Sequence, residues 1–295
     1  MRPYVVIEGP DGSGKTTLAE AFRREGMGVS HCGPPTRPAL SYYLDVLSAH
    51  PDGWAALDRF HAGSFVYGTV FRGGDDLDWH ERWLIESELL AASSLMIYAN
   101  PPREAIDRAL SRGPDDDDAR VYEDPARRDE VRRMYDVFMS EVTALPVLEY
   151  DFTAPGALDR AVADAISVVD HLSEGAAGLG GARAFGNVYS PEVCLFGASP
   201  SRYLFSCLRA AGLGPNRFCI VSEAEPGLEP SGYWATTRLV AVTERSSAVL
   251  RSLGLDHDRL PHPDDVRETA YKEMLRYGLA LAGRGGFDVA GVPMR

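Results

Sequence analysis

Residues 9–16 read Gly-Pro-Asp-Gly-Ser-Gly-Lys-Thr, a complete G-x-x-x-x-G-K-[S/T] phosphate loop, directly after the apolar run 4–7. That placement constrains the fold more than any other feature. A glycine-rich turn between a buried strand and a helix aims successive backbone N–H groups at a polyphosphate; the loop lysine reaches the β- and γ-phosphates, and the hydroxyl after it serves Mg²⁺. Lys15 and Thr16 take those roles, and Gly9, Asp11, Gly12, Ser13, Gly14 and Thr17 complete the cradle. The chain has 29 glycines but only two lysines, Lys15 and Lys272, so accident is a poor source of the pattern. Residues 18–24 follow with helical spacing and helix-forming side chains. The pattern implies an enzyme that uses ATP and Mg²⁺.

Apolar runs and helical segments alternate through residues 1–174, which predicts an α/β fold, a parallel sheet with helices on both faces. Strands are expected at 3–8, 27–32, 54–58, 94–99 and 146–150, and helices at 15–26, 38–50, 79–93, 102–112, 126–144 and 156–172. The last two helices carry Arg- and Glu-rich faces suited to solvent. Residues 175–186 contain five glycines and read as a linker. Residues 187–295 then restart the alternation as a second, smaller α/β domain. Its expected strands are 193–197, 218–221 and 239–243, and its expected helices 203–211, 244–253 and 264–282. The Gly-rich tail 283–295 is expected to be poorly ordered.

The net charge of −13 lies wholly in residues 1–185, because residues 186–295 hold 12 Lys/Arg and 12 Asp/Glu. An acidic surface repels a phosphate backbone, so long DNA or RNA is a disfavoured partner and small phosphorylated metabolites are favoured. The four cysteines, Cys32, Cys194, Cys207 and Cys219, form no CxxC pair or metal-spaced cluster. Buried thiols in a reducing, cytoplasmic setting are the plain reading. Neither a secretory leader nor an apolar run of membrane-spanning length is expected.

A phosphate loop does not by itself choose among kinases, ATPases and GTPases. The segment Asp58-Arg59-Phe60-His61, with Ser64 and Tyr67 six and nine residues after the aspartate, adds a carboxylate and a guanidinium at the end of a buried strand. A carboxylate there suits Mg²⁺ or its water, and an arginine can fork onto phosphate oxygens. Together with Ile7-Glu8-Gly9-Pro10-Asp11-Gly12-Ser13-Gly14-Lys15-Thr16-Thr17 and the turn 96–102, this segment resembles the thymidylate kinase group of nucleoside monophosphate kinases. The resemblance implies that Asp11 holds a sugar 3′-hydroxyl, Arg59 binds the acceptor phosphate and Asp58 helps order the metal. His61 reads as a packed or solvated histidine rather than a catalytic one. In that group a basic residue of either the loop or the lid stabilises the transferred phosphoryl; Gly12 occupies the loop position here, so the resemblance implies that the duty falls to the lid, with Arg112 and Arg120, flanking Asp115–118, the preferred cations and Arg108 a further one. Homodimers are common in that group.

Two departures stand out. The group reads its base with a Phe and an Arg between the second strand and the Asp-Arg pair, and residues 33–57 hold no such pair; Tyr42, Tyr43 and Phe60 are the aromatic residues nearby. Gly68 stands where the group has Gln. The loops 195–201 and 260–263, the latter with His262, faintly resemble the sheet-end loops of the uracil-DNA glycosylase fold, but lack a residue to orient water. A non-catalytic docking module is the better reading of that part. The expected activity is transfer of phosphoryl from ATP to a deoxynucleoside monophosphate. A kinase acting on a modified base in DNA, such as 5-hydroxymethyluracil, and a nucleotide-binding regulator are the alternatives.

Overall fold

The computed structural model describes residues 3–50, 54–111, 124–176, 184–187, 191–198, 204, 208, 213, 217–221 and 237–259. Two compact units emerge, Met1–Ile85 with Ser94–Asp170, and Glu86–Ser93 with His171–Arg295. The expected lid, the linker residues 177–183, most of the helix 203–211, the loops around 199–201 and 260–263, the helix 264–282 and the tail lie outside the described residues.

In chain order the first set of elements is β1 (Tyr4–Glu8), α1 (Lys15–Arg24), β2 (Gly28–His31), α2 (Ala39–Ser48), β3 (Ala55–Asp58), α3 (His61–Tyr67), α4 (Trp79–Ala91), β4 (Leu95–Ala99), α5 (Arg103–Leu110), α6 (Pro125–Val137), β5 (Val147–Tyr150) and α7 (Ala157–Ala176). The five strands are all parallel in the order β2-β3-β1-β4-β5. The three inner strands are buried throughout and the outer two only in part, which is why the former read as unbroken apolar runs. Glu8 and Asp58 are the exceptions, buried carboxylates at the carboxyl ends of β1 and β3. Ligands of open parallel sheets bind beyond those ends.

Leu18 and Phe22, four residues apart on α1, are fully buried against Val5, Ile7, Ala56 and Ile97 of the sheet. Each contributes about 1.5–3 kcal/mol by leaving water. Arg23 and Arg24 in the last turn complement the helix dipole. The start of α6 is fixed by Asp124, whose carboxylate accepts from the Ala126 N–H at 2.9 Å, with Pro125 in the first turn. Two elements escape the sequence pattern: α3, and the π-helical turn Gly68–Arg72 that continues it. Both are short and interrupted by glycine, so a helical period has no room to show.

The second unit holds β6 (Ala184–Gly186), β7 (Val193–Phe196), β8 (Phe218–Val221), β9 (Arg238–Ala241), α8 (Glu244–Ser252) and β10 (Asp258–Arg259). The sheet order is β10-β9-β7-β8-β6, parallel except for β6, which runs antiparallel to β8. Its core joins Cys194, Phe196, Cys219 and Val221 of the sheet with Leu250 of α8. Thr243 caps α8 by accepting from the Ser246 N–H at 3.1 Å. Residues 184–186, assigned to the linker on composition, form an edge strand. Three residues held by pairing with a strand more than thirty positions away leave no local signal. Among the described residues no helix is long and apolar enough to cross a membrane.

Candidate active site

The phosphate loop bends through the left-handed region at Gly12 (φ 77°) and Gly14 (φ 86°), and Gly9 (φ 149°) lies against the end of β4. A Cβ on Gly9 would stand 2.4 Å from the Ala99 carbonyl oxygen, so the turn after β1 admits no side chain there. Gly9→Ala is expected to lower stability by about 2 kcal/mol or more, from overpacking and backbone strain together. Urea unfolding checks it, and an unchanged midpoint would contradict the close approach.

Lys15 is 5% exposed and closes the loop on itself. Its Nζ donates to the carbonyls of Gly9 (2.7 Å) and Pro10 (2.6 Å) and lies 3.6 Å from Asp11 Oδ1. Burial lowers its pKa, and the Asp11 carboxylate opposes that shift. The hydroxyl of Ser13, within the loop, is buried without a hydrogen-bond partner. Such an atom is the sort a phosphate oxygen would satisfy.

Asp58 gathers two elements. The Thr16 hydroxyl donates to its Oδ2 at 2.9 Å, and His31 Nδ1 stands 3.0 Å from the same oxygen. Its Oδ1 is buried with no hydrogen-bond partner. An orphaned carboxylate oxygen beside a loop hydroxyl fits Mg²⁺, a hard cation that takes one or two protein oxygens and completes its shell with water and phosphate. Among the described residues no group of three or more His, Cys, Asp and Glu could hold a metal by itself. His31 was not foreseen, since nothing short-range marks it as the neighbour of a residue 27 positions on.

Arg59 has φ 65°, a conformation that costs a non-glycine residue on the order of 1 kcal/mol or more. Its N–H donates to the Ile7 carbonyl at 3.0 Å, and its Nη2 donates to Asp11 Oδ1 at 2.6 Å. Glu8 holds the turn after it: Oε1 accepts from the N–H groups of Phe60 (2.7 Å) and Gly63 (3.3 Å), and Oε2 accepts from the Tyr135 hydroxyl at 3.3 Å. Burial raises the Glu8 pKa, and His61 and the Phe60 N–H oppose it. Sequence reading gave Glu8 no role, although a carboxylate ending an apolar run was the available signal. His61 is fully buried with its ring edge-on to Phe60 and Phe138, a packing position.

A cavity of about 260 Å³ adjoins this cluster, lined in part by Asp11, Cys32, Tyr43, Arg59, Phe60, Tyr67, Phe71 and Arg72. Burial pushes the Cys32 thiol up to about 12, so it serves as wall rather than nucleophile. The Tyr43 hydroxyl is bonded to Ser64 Oγ at 2.6 Å and donates to the Phe60 carbonyl at 3.3 Å. On the other side of the loop, Arg103, Arg128 and Arg132 line a small cavity of about 30 Å³ with Pro10 and Asp11. Arg128 pairs with Asp107 at 2.6 Å and Arg103 with Asp129 at 3.0 Å. The sequence assigned that face of α6 to solvent. Phe152, just after β5, is 37% exposed, and its ring would stand 3.1 Å from a Cβ on Gly14. It offers an apolar face at the mouth of the loop.

The structure thus brings Gly9, Asp11, Gly12, Ser13, Gly14, Lys15, Thr16 and Thr17 to one end of the sheet with Asp58 and Arg59. Arg112 and Arg120 lie outside the described residues. The chain has an α/β fold in which a P-loop joins the central strand of a five-stranded parallel sheet to its first helix. No known family's sequence profile and no curated protein matches it. Among solved structures it is similar to the YorR protein from Bacillus subtilis in complex with phosphorylated GDP, at 21% identity over 58% of this chain and 98% of that one, with a TM-score of 0.45. It is also similar to deoxyadenosine kinase from M. mycoides, with bound dCTP (14% identity, 56% and 98% covered, TM-score 0.37) and with bound dATP (13%, 56% and 99%, TM-score 0.41).

Proposed function

We propose that the chain transfers the γ-phosphoryl group of ATP to a deoxynucleoside monophosphate. The observation that carries this reading is that the phosphate loop and the 260 Å³ cavity share Asp11, with Arg59 lining the same cavity. A donor held by the loop and an acceptor held in the cavity would then meet at one carboxylate and one guanidinium. Phosphoryl transfer asks a protein mainly for alignment and charge, and these groups supply both.

In this reading Lys15 turns from the Gly9 and Pro10 carbonyls to the β- and γ-phosphates of ATP. Arg59 exchanges the Asp11 carboxylate for the acceptor phosphate, a forked and charge-assisted contact. Asp11 is then released to accept from the sugar 3′-hydroxyl. Glu8 is a positioning residue that fixes the turn of Arg59. Thr16 and Asp58 would hold Mg²⁺, which supplies neutralisation of the charge developing on the transferred phosphoryl. Arg112 and Arg120 would close over the site, and Phe152 would stack on the donor base. In this reading catalysis belongs to residues 1–174, and residues 187–295 serve as a non-catalytic module.

Single-turnover transfer from γ-labelled ATP to a panel of deoxynucleoside monophosphates tests the reading, with DNA containing 5-hydroxymethyluracil in parallel. Label is expected on a monophosphate. Label on DNA alone would favour the modified-base kinase, and label in inorganic phosphate alone would favour a nucleotide-binding regulator.

A further inference from the structure

The cavity has a guanidinium at each end of one helical segment. Arg59 stands two residues before α3, and Arg72 closes the π-helical turn Gly68–Arg72 that extends it; both line the cavity. Tyr67 stands just before this turn, and Phe71 and Arg72, within it, follow Tyr67 by four and five residues. All three line the cavity, and the rings of Tyr67 and Phe71 lie nearly parallel, 19° apart with centroids at 6.0 Å. Single π-helical turns are rare and cluster at functional sites.

Gly68 permits this geometry. Its carbonyl accepts from the Gly74 N–H at 3.0 Å, and a Cβ on it would stand 2.3 Å from the Gly74 carbonyl oxygen. The chain folds back directly over residue 68, so no side chain can project from there. Elsewhere in the cavity, Tyr43 and Ser64 bond to each other, and Arg59 and Asp11 pair at the phosphate loop. Arg72 is oriented by a 2.5 Å ion pair with Asp76 Oδ2, four residues on and beyond the end of the helical segment.

We propose that this π-helical turn reads the acceptor base: Tyr67 and Phe71 form its aromatic wall, and Arg72 selects bases with an oxygen at purine C6 or pyrimidine C4 over those with an amino group at that position. The inference rests on the kinase reading for the identity of the ligand as a nucleotide. A guanidinium has five donors and no acceptor. Guanine offers O6 and N7 to it, and thymine and uracil offer O4; the N6 amino group of adenine and the N4 amino group of cytosine would face it donor to donor. Mismatched donors left unpaired in a cavity discriminate more strongly than a difference in shape.

Equilibrium binding of dGMP, dTMP, dUMP, dAMP and dCMP to the full chain, measured by calorimetry without ATP, tests the proposal. One or more of dGMP, dTMP and dUMP is expected to bind about 5- to 150-fold more tightly than both dAMP and dCMP. Arg72→Met should erase that preference by weakening the favoured ligand alone, whereas Phe71→Leu should weaken every ligand by a similar factor. Arg72→Lys, which keeps the charge without the fork, provides a milder variant if the Met substitution unfolds the chain. Equal affinities in the wild type, binding of none of the five, or a preference that survives in a folded Arg72 variant would overturn it. Selective binding without transfer of label from ATP would instead leave the base reader standing and remove the kinase reading.

Discussion

Lys15→Ala is expected to reduce single-turnover phosphoryl transfer by at least about 10²- to 10³-fold while the chain stays folded. Removing one preorganised donor from a developing charge commonly costs that much. Lys15 is more than such a donor: it is also the cation that joins the Gly9 and Pro10 carbonyls to the Asp11 carboxylate. The fold should survive because α1 is held by Leu18 and Phe22, which lie on its buried face and do not depend on the lysine. Circular dichroism and the urea midpoint report on folding, and rapid-quench transfer reports on chemistry. Near-normal turnover in a folded variant would remove the assignment of Lys15 to the transferred group.

Arg59→Ala is expected to reduce kcat/KM for the monophosphate acceptor by about 10²-fold or more, with ATP affinity changed by no more than a few-fold. The substitution leaves Asp11 with Lys15 as its charged neighbour, 3.6 Å away. Arg59→Gly separates the side chain from the backbone, because glycine adopts the φ of 65° without strain. Both variants should lose acceptor turnover, and Arg59→Gly should be the more stable of the two. A parallel loss of ATP affinity would place Arg59 on the donor side and overturn its acceptor role.

The sheet was legible because the inner strands are buried on both faces and therefore apolar end to end, and because the phosphate loop anchors their register in the chain. The candidate site was legible in part for the same reason: Asp58 and Arg59 lie at the end of β3, and Lys15 and Thr16 open the helix that follows β1, at carboxyl ends that a parallel sheet must bring together. What escaped depends on distance in sequence. His31 meets Asp58 across 27 positions and Tyr135 meets Glu8 across 127, with no local pattern to announce either pair. The aromatic and cationic lining at Tyr67, Phe71 and Arg72 was hidden for another reason. A search at 3.6 residues per turn looks for the wrong period where the helix widens. Arg128 and Arg132 were assigned to solvent because a basic helix face looks alike whether it meets water or an anion.

Gly9 packing on Ala99 sets the order in which the molecule can be made. β1 is synthesised before both of its neighbours and is the middle strand of its sheet, pairing with β3 some fifty residues later and with β4 some ninety residues later. Parallel pairing at such separations is slow, because chain closure comes before any contact that rewards it. A nascent chain that has just completed the nucleotide-binding loop therefore has nothing to fold it against. The turn at Gly9 therefore cannot reach its packed form until the residues through Ala99 have been made, and until then the apolar run 4–7 lacks the neighbours that bury it.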